Sequence, residues 1–232
     1  MAPVSEERDR ACMEQALALA ALAEGSTSPN PRVGCLLVRD GEVVGRGYHL
    51  EPGGPHAEVL AVRQAGVRAR GATLYVIQEP CAHEGRTPPC ADLLVRSGVR
   101  RVVTALRDPN PMVDGRGIEI LRGAGLRVDV GLMAAEAERL NEPFLHWHRH
   151  GRTCVTLKAA LSVDGQLSAA AGVSRWISSD AARRFAHRLR LRADAVLIGA
   201  GTLRRDDPRL TVRLPGVTRP TRRVVLSTTL DL

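Results

Sequence analysis

GGPHAEVLA at residues 53–61, and TLYVI at 73–77 leading into EPCAHEGRTPPCADLL at 79–94, decide how this chain folds. HAEVLAVRQ (56–64) has helical periodicity with Val59, Leu60 and Val62 to bury, which puts His56 and Glu58 in the first turn. Cys81 follows the strand-like run at a strand end, where loops present reactive groups on a rigid scaffold. Cys90 stands after Pro88 and Pro89 and opens a predicted helix to residue 97, because proline is favoured in a first turn and a helix start favours a thiolate.

Working outward, the pattern predicts a helix over 6–24 and strands over 33–38 and 42–48 joined across Asp40-Gly41, a hairpin turn signal. After the three central elements come a strand at 101–105, a helix at 118–122, a strand at 126–130 and a helix at 133–148. Such alternation predicts a layered α/β domain over 1–148, with RHGR (149–152) as the boundary to a second domain at 153–232. There the expected elements are a strand at 154–161, a helix at 179–191, a buried strand at 195–198 ending in GAGT, and a strand at 223–226. Small residues after a parallel-type strand let the backbone approach a phosphate or ribose. Lys158, the only lysine of the chain, is expected to face that cleft.

One imidazole, one carboxylate and two thiols occur here in the order used by zinc-dependent nucleobase deaminases, in which water replaces an exocyclic amine. Zinc held by three protein ligands with an open fourth position lowers the pKa of a bound water to roughly 7. His56, Cys81 and Cys90 are the expected ligands, and Glu58 the proton shuttle. One departure matters. The common pattern has two residues between the thiols, and here there are eight.

TSPNPRVGCLLV (27–38), the two runs above and DPNPMVDGRG (108–117) strongly resemble the bifunctional riboflavin-biosynthesis deaminase/reductase family. TLKAALSVDG (156–165), SRWIS (174–178) and GAGTLRRDDPRLTVR (199–213) look like that family's reductase; Ile77 and Gln78 depart from its pattern. The resemblance implies a cytidine-deaminase-like three-layer α/β domain followed by an incomplete dihydrofolate-reductase-like α/β domain. It implies a diaminopyrimidinone carrying ribosylamino 5-phosphate as substrate, deaminated at a zinc centre and then reduced at the ribose by NADPH. It places Asn30, His49, His83 and Arg86 around the deaminase substrate. In the second part it places Ala160, Trp176, Thr202, Asp206 and Thr228, with Lys158 beside them, at the cofactor, and Ser174, Arg190, Leu210 and Arg213 at the substrate. That family's reductase continues beyond the counterpart of Leu232. The resemblance therefore implies that reduction is absent or crippled in this polypeptide, or that a partner completes the sheet.

Of the 232 residues 44% are hydrophobic and only 3% aromatic, so the cores must be built from Leu, Val and Ala. No apolar run approaches the roughly 20 residues of a membrane helix, and the charged amino terminus lacks the form of a signal peptide. Five cysteines, an odd number, favour metal use over a disulfide framework and point to the cytoplasm; Cys12, Cys35 and Cys154 read as packing residues. The net charge of +8 is uneven: residues 1–148 hold 17 Lys+Arg against 19 Asp+Glu, whereas 149–232 hold 16 against 6. A phosphorylated sugar and a phosphorylated dinucleotide call for that charge as much as nucleic acid does. The scarcity of stacking aromatics argues against nucleic acid. A homo-oligomer is compatible with everything above.

Two other readings stay open. One is a cytidine or tRNA-adenosine deaminase on the same zinc core, distinguished by the insertion AHEGRTPP (82–89). The other is a non-catalytic scaffold with structural zinc, which needs a fourth protein ligand such as His83 or His49.

Overall fold

In the computed structural model the described residues are 3–84, 88–167, 178–217 and 219–229. They form two units, Met1–Cys154 and Val155–Leu232.

The first unit is a sheet between two helical layers. Strands β1 (Gly34–Arg39) and β2 (Glu42–Tyr48) make the expected hairpin, turning at Asp40 and Gly41, both with positive φ. With β3 (Thr73–Gln78), β4 (Arg101–Leu106) and β5 (Arg127–Val130) they complete the order β2-β1-β3-β4-β5. The β1–β2 and β1–β3 pairs are antiparallel; β3–β4 and β4–β5 are parallel. Parallel strands need crossovers, supplied by α3 (Cys90–Arg96) and α4 (Arg116–Gly123).

Central strands are apolar on both faces because both are covered. Cys35, Leu37, Leu74, Val76 and Val102 face a layer of α2 (Ala57–Ala65), α3 and α4. Leu36, Val38, Tyr75, Ile77 and Val103 face α1 (Pro3–Ala21) and α5 (Ala134–His150).

Helix α2 departs from expectation in its face. Its fully buried residues are Ala57, Glu58, Ala61 and Ala65, while Val59, Leu60 and Val62 are half-buried. The reason is proximity. A Cβ on Gly45 would lie 2.2 Å from the Ala61 oxygen and one on Gly47 2.0 Å from the Ala57 oxygen, so glycines in β2 admit the helix backbone, with Ala57, Ala61 and Ala65 as the small side chains at that approach.

In the second unit α6 (Asp180–Arg192) is capped by Ser179, whose Oγ accepts from the Ala182 amide at 3.2 Å. Strand β6 (Ala195–Gly199) runs directly into α7 (Ala200–Asp206) and pairs in parallel with β7 (Arg222–Leu226). The strand expected over 154–161 is absent: those residues are irregular, with Val155 and Leu157 86% and 92% exposed. Alternating apolar residues become a strand only where a neighbouring ladder takes up their backbone groups, and no described strand pairs with them. No helix among the described residues is long and apolar enough to cross a membrane.

Candidate active site

His56 caps the N-terminus of α2 in extended conformation (φ −69°, ψ 158°), and Glu58 follows inside the first turn. Cys81 lies in the loop leaving β3, and Cys90 is the first residue of α3 after Pro89. Three separate elements thus deliver their side chains to one point. His56 Nδ1 is 3.3 Å from Cys90 Sγ and 3.5 Å from Cys81 Sγ, and the three donor atoms lie within 4.8 Å of one another. The Cys90 amide also donates to Cys81 Sγ at 3.3 Å.

This donor set fits zinc. Tetrahedral bonds of about 2.3 Å to sulfur and about 2.05 Å to nitrogen set a nitrogen–sulfur separation of about 3.6 Å. No other group of three or more metal-binding side chains converges this way among the described residues.

The electrostatics suit proton transfer. Burial, reinforced by negative charge at Cys81, pushes the Glu58 carboxyl up to about 7, where it both takes and gives a proton near neutral pH. The Cys81 thiol is held down at about 4 by hydrogen bonding with Cys90 against the opposing effect of burial, with His56 adding to the lowering. Cys90, the buried proton donor of that pair, is pushed up. The hydrogen bond with Cys81 raises the His56 imidazole against burial.

Asn30 and His49 sit together beside this centre. Asn30 Nδ2 donates to His49 Nε2 at 3.1 Å, His49 Nδ1 donates to the Pro55 carbonyl at 3.2 Å, and the His49 and His56 rings meet edge to face at 5.5 Å. Both nitrogens of His49 are used, and burial pushes its pKa down. His83 is half-buried in the loop between the thiols, its enclosed Nδ1 without a hydrogen-bond partner among the described residues. Arg86, Ser174 and Trp176 lie outside the described residues.

Two supporting residues escaped the reading of the sequence. Glu79 is buried, and its carboxylate accepts from the amides of Asp108 (3.0 Å), Gly115 (3.0 Å) and Ile118 (3.2 Å), tying the Cys81 loop to the segment entering α4. Asn141 is buried at a kink of α5; its Oδ1 accepts from the Arg32 amide and its Nδ2 donates to the Arg32 carbonyl, both at 2.9 Å, pinning the loop that holds Asn30. An asparagine two residues before Pro143 inside a helix was the available signal, because proline removes a helical donor and bends the chain there.

In the second unit β6 and β7 are parallel in register, Gly199 opposite Leu226. Thr202 and Asp206 in α7 and Thr228 after β7 therefore follow the same strand edge, all exposed, and a Cβ on Gly199 or Gly201 would meet only open space. Lys158 and Ala160 lie instead in the irregular segment, Lys158 exposed, with no ladder to hold them at that edge. Half-buried Arg190 is lowered by burial and by the nearby Arg213, whose amide donates to His187 Nδ1 at 3.2 Å; Leu210 is buried with positive φ (54°).

A three-layer sandwich that gathers one imidazole and two thiols beside a buried carboxylate is the architecture of the zinc-dependent deaminase class. Residues 6–106 match the cytidine and deoxycytidylate deaminase zinc-binding region, and residues 153–232 match the RibD C-terminal domain. Both parts of the chain are thus similar to the RibD family of riboflavin biosynthesis. The chain is 49% identical over 97% of its length to the Aquifex aeolicus riboflavin biosynthesis protein RibD, and 51% identical over 89% to that of Escherichia coli. Among solved structures, Acinetobacter baumannii RibD matches with a TM-score of 0.92 at 44% identity, covering 98% of this chain and 65% of that one. The Thermotoga maritima diaminohydroxyphosphoribosylaminopyrimidine deaminase/5-amino-6-(5-phosphoribosylamino)uracil reductase matches with a TM-score of 0.90 at 41% identity, covering 96% and 64%. The chain spans 64% of the Aquifex aeolicus relative and 56% of the Escherichia coli one.

Proposed function

We propose that this chain hydrolytically deaminates 2,5-diamino-6-ribosylamino-pyrimidinone 5'-phosphate in riboflavin biosynthesis. The observation that carries the proposal is the convergence of His56, Cys81 and Cys90 within 4.8 Å, next to a buried Glu58.

His56, Cys81 and Cys90 hold zinc, which when bound supplies the positive charge that activates water at neutral pH. Glu58 accepts the proton from the attacking water and delivers it to the ring nitrogen, where it stays; it then carries the second proton, from the newly attached hydroxyl, to the departing amine as the C=O forms. Water and an amino-pyrimidinone give a dioxopyrimidine and ammonia. The Asn30–His49 pair orients the heterocycle, His83 faces it from the loop between the thiols, and Arg86 takes the phosphate.

For the second unit the reading is a part of the family's NADPH-dependent reductase fold, with reduction of the ribosylamino group absent or crippled in this polypeptide by itself, since the described sheet there has two strands. Thr202, Asp206 and Thr228 serve the cofactor, and Arg190, Leu210 and Arg213 the substrate; no strand ladder holds Ala160 and Lys158 at that edge, and Ser174 and Trp176 lie outside the described residues. The open strand edge beside Gly199 and Gly201 supports a nucleotide there. The partners are then small molecules and not nucleic acid, with self-association as a homo-oligomer. Five free thiols fit a cytoplasmic protein.

Mass-spectrometric detection of ammonia release tests the deaminase reading. Zinc-loaded protein should convert the diaminopyrimidinone ribotide and leave cytidine and tRNA adenosine untouched. Conversion of either alternative in preference to the ribotide would overturn it. NADPH oxidation with the deaminated intermediate tests the second unit separately.

A further inference from the structure

We propose that His146 and His150 form a second metal site, on the last turns of α5, for a borderline divalent ion such as Ni2+, Cu2+ or Zn2+. FLHWHRH (144–150) holds three of the chain's seven histidines, and the deamination chemistry uses none of them. Residues four apart share a helix face. The rings of His146 and His150 accordingly lie with centroids 4.8 Å apart, tilted by 55°, while His148 turns away to pack on Phe144 at 4.5 Å.

The spacing suits joint chelation. An ion bound at about 2.1 Å through one nitrogen of each ring, with a ligand angle of about 90° to 110°, sets the centroids about 4.5 to 5.2 Å apart. The pair is already inside that range without moving the backbone.

The surroundings supply carboxylates and space, the two glutamates of the cleft matched by its two arginines. His146 and His150 line a surface cleft of about 300 Å3 together with Glu138, Glu142, Leu145, Arg139 and Arg149. Glu138 and Glu142 continue the four-residue step towards the N-terminus on the same face. The two cations of the cleft are engaged by carboxylates, Arg149 with Glu138 at 2.5 Å and Arg139 with Glu136 at 3.6 Å. Two protein nitrogens leave the remaining positions to water, so this site is weaker than the three-ligand centre at His56 and prefers Cu2+ among divalent ions. Chelation across one turn also clips the end of α5, just before Gly151 ends the helix with φ 63°.

Calorimetric titration of the zinc-loaded full chain with Ni2+ tests the site. The parent should bind one further equivalent; His146→Ala and His150→Ala should each weaken that binding by about tenfold or more, and His148→Ala should leave it unchanged. Ni2+ should raise the melting temperature of the parent but not of His146→Ala. The proposal fails if the parent takes up no further ion, if His146→Ala and His150→Ala bind like the parent, or if His148→Ala loses as much as they do. Ammonia release before Ni2+ is added should be equal in all four proteins, which keeps this result separate from the deaminase reading.

Discussion

A Cβ atom on Gly47 would lie 2.0 Å from the carbonyl oxygen of Ala57, the residue between His56 and Glu58. The strand thus sets the height of the helix that carries His56 and Glu58. Gly47→Ala should push α2 off the sheet, costing about 1 to 3 kcal/mol of stability and loosening zinc. Gly123→Ala, at a position where a Cβ meets nothing, is the control and should be neutral or slightly stabilising. Denaturant melts and zinc retention against a chelator read both effects.

Glu58→Gln keeps a side chain of the same shape but removes the group that shuttles the proton. Zinc content should match the parent while ammonia release falls by about 10² to 10⁴. Cys81→Ser should lose the ion as well. Equal turnover in Glu58→Gln and the parent would remove the shuttle assignment.

Removing the Glu79 carboxylate leaves three buried amides, those of Asp108, Gly115 and Ile118, without their acceptor. Glu79→Ala should therefore destabilise the first unit by at least about 1 to 3 kcal/mol. It should also raise protease sensitivity in the segment between β4 and α4, which limited proteolysis can map.

Asp9, Tyr75, Arg101 and Asp129 form one polar network: Arg101 donates to Asp9 at 2.9 and 2.6 Å and to Asp129 at 2.7 Å, and Tyr75 donates to Asp9 at 2.5 Å. Burial pushes both carboxyls up and is the largest single effect, but hydrogen bonds from Arg101, joined by Tyr75 at Asp9 and Arg127 at Asp129, together with the nearby Arg101 and Arg127 charges outweigh it and hold both below the usual range. A depressed folded pKa means stability that is complete above the ordinary carboxylate value of about 3.9 and lost as pH falls through the folded value. Melting temperature should drop below about pH 4, and Asp9→Asn should flatten that part of the profile while lowering the plateau at neutral pH.

The site was legible because its chemistry is written in short runs. An imidazole two residues before a carboxylate at a helix start, with thiols after a strand and at another helix start, is one set of reagents whatever the tertiary detail. The supporting contacts were not. Glu79 and Asn141 act on backbone groups 29 to 39 and 109 residues away, and no local periodicity records such a pairing. The inward face of α2 was misjudged for a related reason: burial scales favour Val and Leu, whereas Ala57, Ala61 and Ala65 stand at the close approach of Gly45 and Gly47. The alternation at 154–161 was likewise insufficient, since a strand is a property of a pair.

The sequence by itself determined the order of helices and strands in the first unit and which groups are candidates for the metal and the proton, because both follow from local spacing and side-chain chemistry. Tertiary structure alone decided that three donors 25 and 9 residues apart converge within 4.8 Å, that Glu58 is buried enough to titrate near neutrality, and which strands find partners. Distance, desolvation and backbone pairing arise only when separate segments pack against one another.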